Sequence, residues 1–265
     1  MSDELSLGDI FSEEPRPPTP EPTVAIYDRD DELVSDDWRD MKIRLVGSHP
    51  LWGHYLWNAA RAFASYLDHN RNLYHDSFVL ELGAGGGLPG LVAAKNGAKR
   101  VLLTDYPDPE LVNNMEINVT ENAAKNNCSV QVKLPCSRCA TNISVHQGYI
   151  WGHPVGELLD VLPPGERFHL ILLSDLVFNH SQHDALLKTC ENCLVQADND
   201  AAVLVFYTHH RPHLADKDME FFSKARERGW TCEEIVTRQF TPMFPEDPGS
   251  EAVRGTVHGW RLRRS

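Results

Sequence analysis

The sequence has no apolar run approaching the ~20 residues needed to span a bilayer. Its longest apolar stretches, Leu170 to Leu173 and Ala201 to Tyr207, suit buried strands. It has no excess of basic charge. Lys and Arg number 25 against 38 Asp and Glu over 265 residues, a net charge of −13. That balance excludes the basic footprint of a nucleic-acid binder, and the tail Arg261-Leu262-Arg263-Arg264 is too short to restore it. The opening residues, MSDELSLGDIF, lack a basic segment followed by an apolar core, so no secretory or transit peptide is expected. The expectation is a cytoplasmic protein with reduced thiols and no membrane contact. No repeat occurs at solenoid periods. What is present is a globular composition, 42% hydrophobic and 24% charged.

The charge is unevenly placed. Residues 1–40 hold 13 acidic and 3 basic side chains, and the remainder hold 25 and 22. The run Pro15-Arg16-Pro17-Pro18-Thr19-Pro20-Glu21-Pro22 cannot enter a helix or sheet, because each proline fixes φ and lacks a donor. Residues 1–25 therefore read as an acidic, proline-rich flexible leader, and 26–265 as a single domain. An acidic excess, where it acts at all, favours a cationic partner.

From residue 75 onward, apolar runs alternate with helical patterns. Phe78–Leu82, Val101–Thr104, Phe168–Leu173 and Ala201–Tyr207 read as strands. Leu88–Asn96, a segment opening at Pro109, His183–Val195 and Asp216–Arg228 read as helices. Glu233–Val236 and Thr256–Leu262 close the chain as two strands near enough to pair antiparallel. This βα alternation predicts an α/β fold, a mostly parallel Rossmann-like sheet with helices on both faces.

The most informative stretch is Glu81-Leu82-Gly83-Ala84-Gly85-Gly86-Gly87-Leu88-Pro89-Gly90, which follows a strand and opens a helix. Such a loop lets a ligand approach the backbone at a helix N-terminus. Asp105 ends the next strand, 22 residues after Gly83, where a carboxylate accepts from a ribose diol. The dinucleotide fingerprint fits Gly85, Gly87 and Gly90, but in a late register with Pro89 inside the turn. Glu81 beside the loop opposes a pyrophosphate. S-adenosylmethionine carries a ribose, a sulfonium and an α-ammonium but no phosphate, and is favoured over NAD or FAD.

This loop with its acidic second-strand end resembles the seven-β-strand methyltransferases. Gly53-His54-Tyr55-Leu56-Trp57-Asn58-Ala59-Ala60-Arg61, Trp151-Gly152 and Ser174-Asp175-Leu176-Val177-Phe178 are similar to segments of the lysine-methyltransferase branch called family 16. Leu51 to Trp57, taken with Asp175 to His180, resembles a fungal subgroup that modifies the N-terminal glycine and adjacent lysine of translation elongation factor 1-alpha. Older descriptions of that subgroup use the name nicotinamide N-methyltransferase. The resemblance implies a seven-stranded S-adenosylmethionine-dependent fold. It also implies that Trp57 flanks the methionine end of the cofactor, Gly83, Ala84 and Gly85 its ribose and amino-acid moiety, Trp151 its adenine, and that Ser174 touches it. Asp175 and Phe178 stand at the D-x-x-[FY] signature, the first to hold an incoming ammonium, or else to cap the following helix as a loop acid, and the second to face the methylated cation.

Nitrogen must be deprotonated to attack a methyl group. At pH 7 an α-amine (pKa ~7.8) is roughly a tenth neutral, and lysine (pKa ~10.4) far less. Desolvation and alignment can supply the difference. Asn179 and His180 can orient the amine, and His209 or His210 can relay a proton, though surface histidines in a polar turn fit equally. Cys136-x-x-Cys139 and Cys190-x-x-Cys193 have four thiols for zinc, but the 50-residue gap is long, and the second pair reads as a buried helix face. No metal is expected. The favoured function is methylation of elongation factor 1-alpha by a monomer. The alternatives are a small-molecule N-methyltransferase with a nicotinamide-like substrate, which needs a closed apolar pocket, and a non-catalytic cofactor-binding adaptor.

Overall fold

The computed structural model describes residues 20–34, 38–123, 130–132, 143–196 and 198–264. Most of the acidic leader, and Cys128, Cys136 and Cys139, lie outside the described residues.

The chain opens with an antiparallel pair, β1 (Thr23–Asp28) and β2 (Asp40–Leu45). β1 therefore starts inside the stretch read as leader. Then follow α1 (Asn58–His69), β3 (Phe78–Leu82), α2 (Leu88–Lys95), β4 (Arg100–Asp105) and α3 (Pro109–Ala123). The second half holds β5 (Val130–Val132), β6 (Ile143–Gly148), α4 (Gly156–Leu159), β7 (Leu170–Ser174), α5 (His183–Cys193), β8 (Ala202–Thr208), α6 (Ala215–Glu227), β9 (Trp230–Gln239), α7 (Glu251–Gly255) and β10 (Thr256–Arg264).

The main sheet runs β5-β6-β4-β3-β7-β8-β10-β9. Its first six strands are parallel, and β10 pairs antiparallel with both β8 and β9. The expected mostly parallel Rossmann-like sheet is present, with the three-residue β5 as an eighth strand at its edge. Winding reverses at β3, so the crevice above the C-terminal ends of β3, β4 and β7 is where an open α/β sheet takes a ligand.

The two faces of the sheet explain the sequence pattern. In β7, Leu170 and Leu172 join one core and Ile171 and Leu173 the other, and β8 alternates likewise. The strands read as continuous apolar runs because helices cover both faces. Cys190 and Cys193 lie in the second core, with burial raising both thiols, the latter to about 12.

α2 is apolar all round, and the β1–β2 pair is the reason. Met41, Ile43 and Leu45 of β2 belong to the same core as Leu88, Leu91 and Val92. An asparagine row on α3 fixes this pair. Asn118 Oδ1 accepts from the Arg44 N–H at 2.7 Å, and its Nδ2 donates to the carbonyls of Arg44 and Gly86 at 2.8 and 3.0 Å. Asn114 and Asn122 donate to Arg44 and Lys42 carbonyls. The edge backbone of β2 is thereby hydrogen-bonded by side chains instead of a further strand. Arg29 forks onto the buried Asp68 of α1 at 2.6 and 2.9 Å. Nearby, Asp30 accepts from Ser65 and Glu32 meets His69. These acids face the C-terminal end of α1, away from Trp57, so they do not surround the crevice. Among the described residues no helix is long and apolar enough to cross a membrane.

Candidate functional site

The glycine loop leaves β3 through residues that only glycine occupies easily. Gly83, Gly85 and Gly87 have φ of 61°, 54° and 76°. At Gly83 a Cβ would also sit 2.7 Å from Leu176 and 3.1 Å from the Trp151 ring. A side chain there would collide with the wall of the crevice.

Two carboxylates hold this loop by different means. Asp105 Oδ2 accepts from the Gly85 N–H at 2.6 Å, and Oδ1 from the Tyr106 N–H at 2.7 Å. Each oxygen keeps a lone pair for a further donor. Burial raises the Asp105 carboxyl, the two backbone bonds opposing it. Glu81 lies beneath the loop on the α2 side, fully buried, where its strand neighbours bury apolar side chains. Its Oε2 accepts from the Gly90 N–H at 2.8 Å, and its Oε1 has no partner among the described residues. Burial, with the Asp105 charge adding to it, pushes Glu81 up to about 8. At neutral pH it is mostly protonated, which removes the cost of an isolated buried charge.

Beside the loop, Trp151 and Gly152 form a turn docked on α5. The Gly152 N–H donates to Thr189 at 2.8 Å, and a Cβ at Gly152 would lie 3.0 Å from Ala185. The turn after β7 holds Asp175 at φ 56°, rare for a residue with a side chain. Its N–H donates to the Phe206 carbonyl at 2.7 Å. Its Oδ1 accepts from the Thr208 N–H at 3.4 Å, and Oδ2 meets His210 Nε2 at 2.9 Å. Burial opposes protonation of His210, yet the Asp175 charge and hydrogen bond, with the Asp218 charge further off, raise it above its ordinary value. Asp218 of α6 bridges His180 and His209 at 2.7 Å each. It ties the turn after β7 to the turn after β8.

Trp57, Gly83, Ala84, Gly85, Asp105, Trp151, Ser174, Asp175 and Phe178 all line one cleft of about 390 Å³. These nine residues are thus brought together from five separate segments, whereas Glu81, His180, His209 and His210, also singled out from the sequence, lie outside the lining, and Glu81 turns beneath the loop rather than toward a ligand. Asp105 and Asp175 are the charged side chains in that lining, and no Lys, Arg or His lines it among the described residues.

The lining also holds residues to which the sequence reading gave no role. Leu51, Trp52, Tyr106 and Ile150 form an exposed apolar rim, and Tyr55 and Gln182 lie within. Tyr106 and Tyr55 adjoin singled-out residues, which was the available signal. Phe244, outside the lining, packs behind it without any such signal: its ring lies 5.2 Å from Tyr55 and 5.9 Å from Trp57, far away in sequence. His210 was weighed only as a possible relay. The structure seats it against Asp175 and 4.8 Å from the Trp57 ring.

Comparison with known proteins places this geometry. Residues 39–228 match the model of a family described as lysine methyltransferase. The chain is 44% identical to the protein N-terminal and lysine N-methyltransferase efm7 of Schizosaccharomyces pombe, over 99% of this chain and 98% of that one. It is 41% identical to the Kluyveromyces lactis protein of the same name, over 99% of each. Among solved structures, a Pyrococcus horikoshii protein assigned to RNA methylation shares the fold with a TM-score of 0.51 at 16% identity, covering 82% of this chain and 89% of that one.

Proposed function

We propose, starting from the fact that this chain belongs to the lysine methyltransferase family, that it moves a methyl group from S-adenosylmethionine to a protein amine. The targets in this reading are the N-terminal glycine amine and the adjacent lysine of translation elongation factor 1-alpha. The two kinds of amine agree with the names of relatives 36–44% identical to it. The choice of elongation factor rests on the resemblance of the segments around Trp57 and Asp175 alone.

The observation that carries the reading is the charge of the cleft lining: two carboxylates and, among the described residues, no cation to hold a phosphate. A pyrophosphate cofactor would meet repulsion there, whereas a sulfonium, an α-ammonium and a substrate amine meet attraction. Asp105 would take the ribose diol, and the faces of Trp151 and Trp57 would bound the adenine and the methionine end. When bound, S-adenosylmethionine supplies an electrophilic methyl group on sulfur. Asp175 holds the incoming ammonium, and its contact with His210 offers the departing proton a basic acceptor. Phe178 and Trp57 present π surface to the cation. Ser174, at the end of β7 and in the lining, would touch the cofactor.

The exposed rim of Leu51, Trp52, Tyr106 and Ile150 supports a peptide substrate over a small molecule enclosed in a shut pocket. The same reading has the enzyme act in the cytoplasm as a monomer, without nucleic acid or membrane.

The test is incubation of cell lysate lacking this protein with labelled S-adenosylmethionine, with and without the purified chain, followed by mass spectrometry. Label on the first two residues of elongation factor 1-alpha is the expected result. Label only on a small molecule overturns the substrate, and cofactor binding without transfer supports the adaptor reading.

A further inference from the structure

The cleft does not end at its rim. Leu51 and Trp52 are 50% and 47% exposed and continue it as an apolar shelf. Trp52 takes φ 63°, an uncommon conformation for a side-chain-bearing residue, and its N–H is held by the His49 carbonyl. Behind the shelf stands the loop between β9 and α7. Its Phe244 packs edge-on against Trp52, Tyr55 and Trp57, at 6.4, 5.2 and 5.9 Å between centroids.

This loop is fixed from several sides. The guanidinium of the buried Arg254 donates to the Phe244 carbonyl at 2.6 Å and to the Gly249 carbonyl at 3.4 Å. Asn58 Nδ2 donates to the Thr241 carbonyl at 2.8 Å. Pro242, Pro245 and Pro248 restrict its backbone further. The Asp247 N–H closes a turn onto the Phe244 carbonyl, so the acids that follow Phe244 stay beside the shelf. Glu246, Asp247 and Glu251 are all exposed. Of the neighbouring cations, Arg254 is turned inward, and Arg211 donates to the Phe178 carbonyl at 3.4 Å. The shelf is thus bordered by negative charge, and the family match ends at residue 228, before this loop begins.

We infer that the Leu51–Trp52 shelf, with the β9–α7 loop behind it, is the docking surface for the basic stretch of a peptide that follows the target amine. This rests on the proposed reaction at the same cleft. An extended chain advances ~3.3–3.6 Å per residue. With its amine beside Asp175 and Phe178, the residues two to four places on lie over the shelf. Apolar stems of lysine cover Trp52, and their ammonium heads meet Glu246 and Asp247. Because the loop is already held, docking costs little ordering.

Peptide binding reads this without turnover. The probes are a fluorescent peptide with a free N-terminal glycine, a lysine next to it and further lysines beyond, and its counterpart with glutamines at the later positions. Polarisation is measured with saturating S-adenosylhomocysteine on the full chain and on Glu246→Lys/Asp247→Lys. The variant should bind the basic peptide roughly tenfold more weakly and the neutral one unchanged. The gap should close as salt rises, the screening length falling from about 10 Å at 0.1 M to about 3 Å at 1 M. Trp52→Ala should weaken both peptides. Equal binding of the basic peptide by parent and variant, equal losses for both peptides, or no binding by the parent overturns the docking surface. Labelled-methyl transfer is scored separately. Docking as expected without transfer leaves the surface standing and removes the reaction.

Discussion

Asp175 and His210 meet at 2.9 Å across the ends of β7 and β8, one lining the cleft and the other seated behind it against Trp57. Asp175 supplies the charge that raises His210 in spite of burial. A raised histidine contributes stability that is fully present below its ordinary value of 6.5 and is lost as pH rises through the elevated one. Asp175→Asn should therefore move the His210 titration to lower pH, followed by NMR of the imidazole carbons. Methyl transfer should fall by about a hundredfold or more, the usual loss for a removed acid–base group. An unmoved His210 titration would separate the pair.

Asp105 anchors the cofactor side in the proposed reaction. Asp105→Ala should cost roughly 1.5–3 kcal/mol of S-adenosylmethionine affinity, the loss of charge-assisted bonds. Calorimetry decides it, with unchanged affinity excluding Asp105 from the site. Since its carboxyl is raised, acid should weaken cofactor binding at a higher pH than an ordinary aspartate would dictate.

The two tryptophans should separate by ligand. Trp151→Ala should weaken S-adenosylmethionine and adenosine alike, because both carry the adenine. Trp57→Ala should weaken S-adenosylmethionine and spare adenosine. Equal losses for both ligands in the Trp57 variant would contradict its placement at the methionine end.

Glu81 predicts a pH-dependent stability. Its folded value of about 8 lies above the ordinary 4.5, so its contribution is full below about 4.5 and is lost as pH rises toward about 8. Glu81→Gln keeps an acceptor for the Gly90 N–H and cannot ionise. Denaturant unfolding should show the parent losing stability, on the order of a few kcal/mol, across that interval relative to the variant. Parallel curves would mean that Glu81 titrates normally.

Asn118 joins three elements. Asn118→Ala leaves the Arg44 N–H and the Gly86 carbonyl without these partners and should destabilise the fold by roughly 2–3 kcal/mol. Thermal unfolding measures it, and a change below about 0.5 kcal/mol would show that water replaces the bonds.

Much of this protein was fixed locally. Phe78–Leu82 is strand β3 to the residue, and the helices read from Leu88, Pro109 and His183 begin where α2, α3 and α5 begin. Those segments are buried on defined faces, so hydrophobic period and flanking turns state their conformation directly. The glycine loop and Asp105 were legible for the same reason: positive φ demands glycine, and a strand-end acid is one crossover away. The β1–β2 pair was passed over although Met41, Ile43 and Leu45 alternate in β2, because its partners, β1 beside the proline-rich run and the asparagine row of α3, are set by tertiary packing. α1 was passed over although Phe63 stacks on Phe206 at 4.1 Å, since its alanine-rich face speaks only once the sheet is in place.

Which acid meets which base, and what packs behind Trp57, was decided by tertiary structure alone. His209 and His210 are neighbours in sequence, yet one turns to Asp218 and the other to Asp175. Phe244 reaches Trp57 only because β9 and β10 fold the chain back beside α1. Sequence carries the conformational preferences of residues a few positions apart. The meeting of groups from distant segments depends on how the layers pack, and no local pattern encodes that distance.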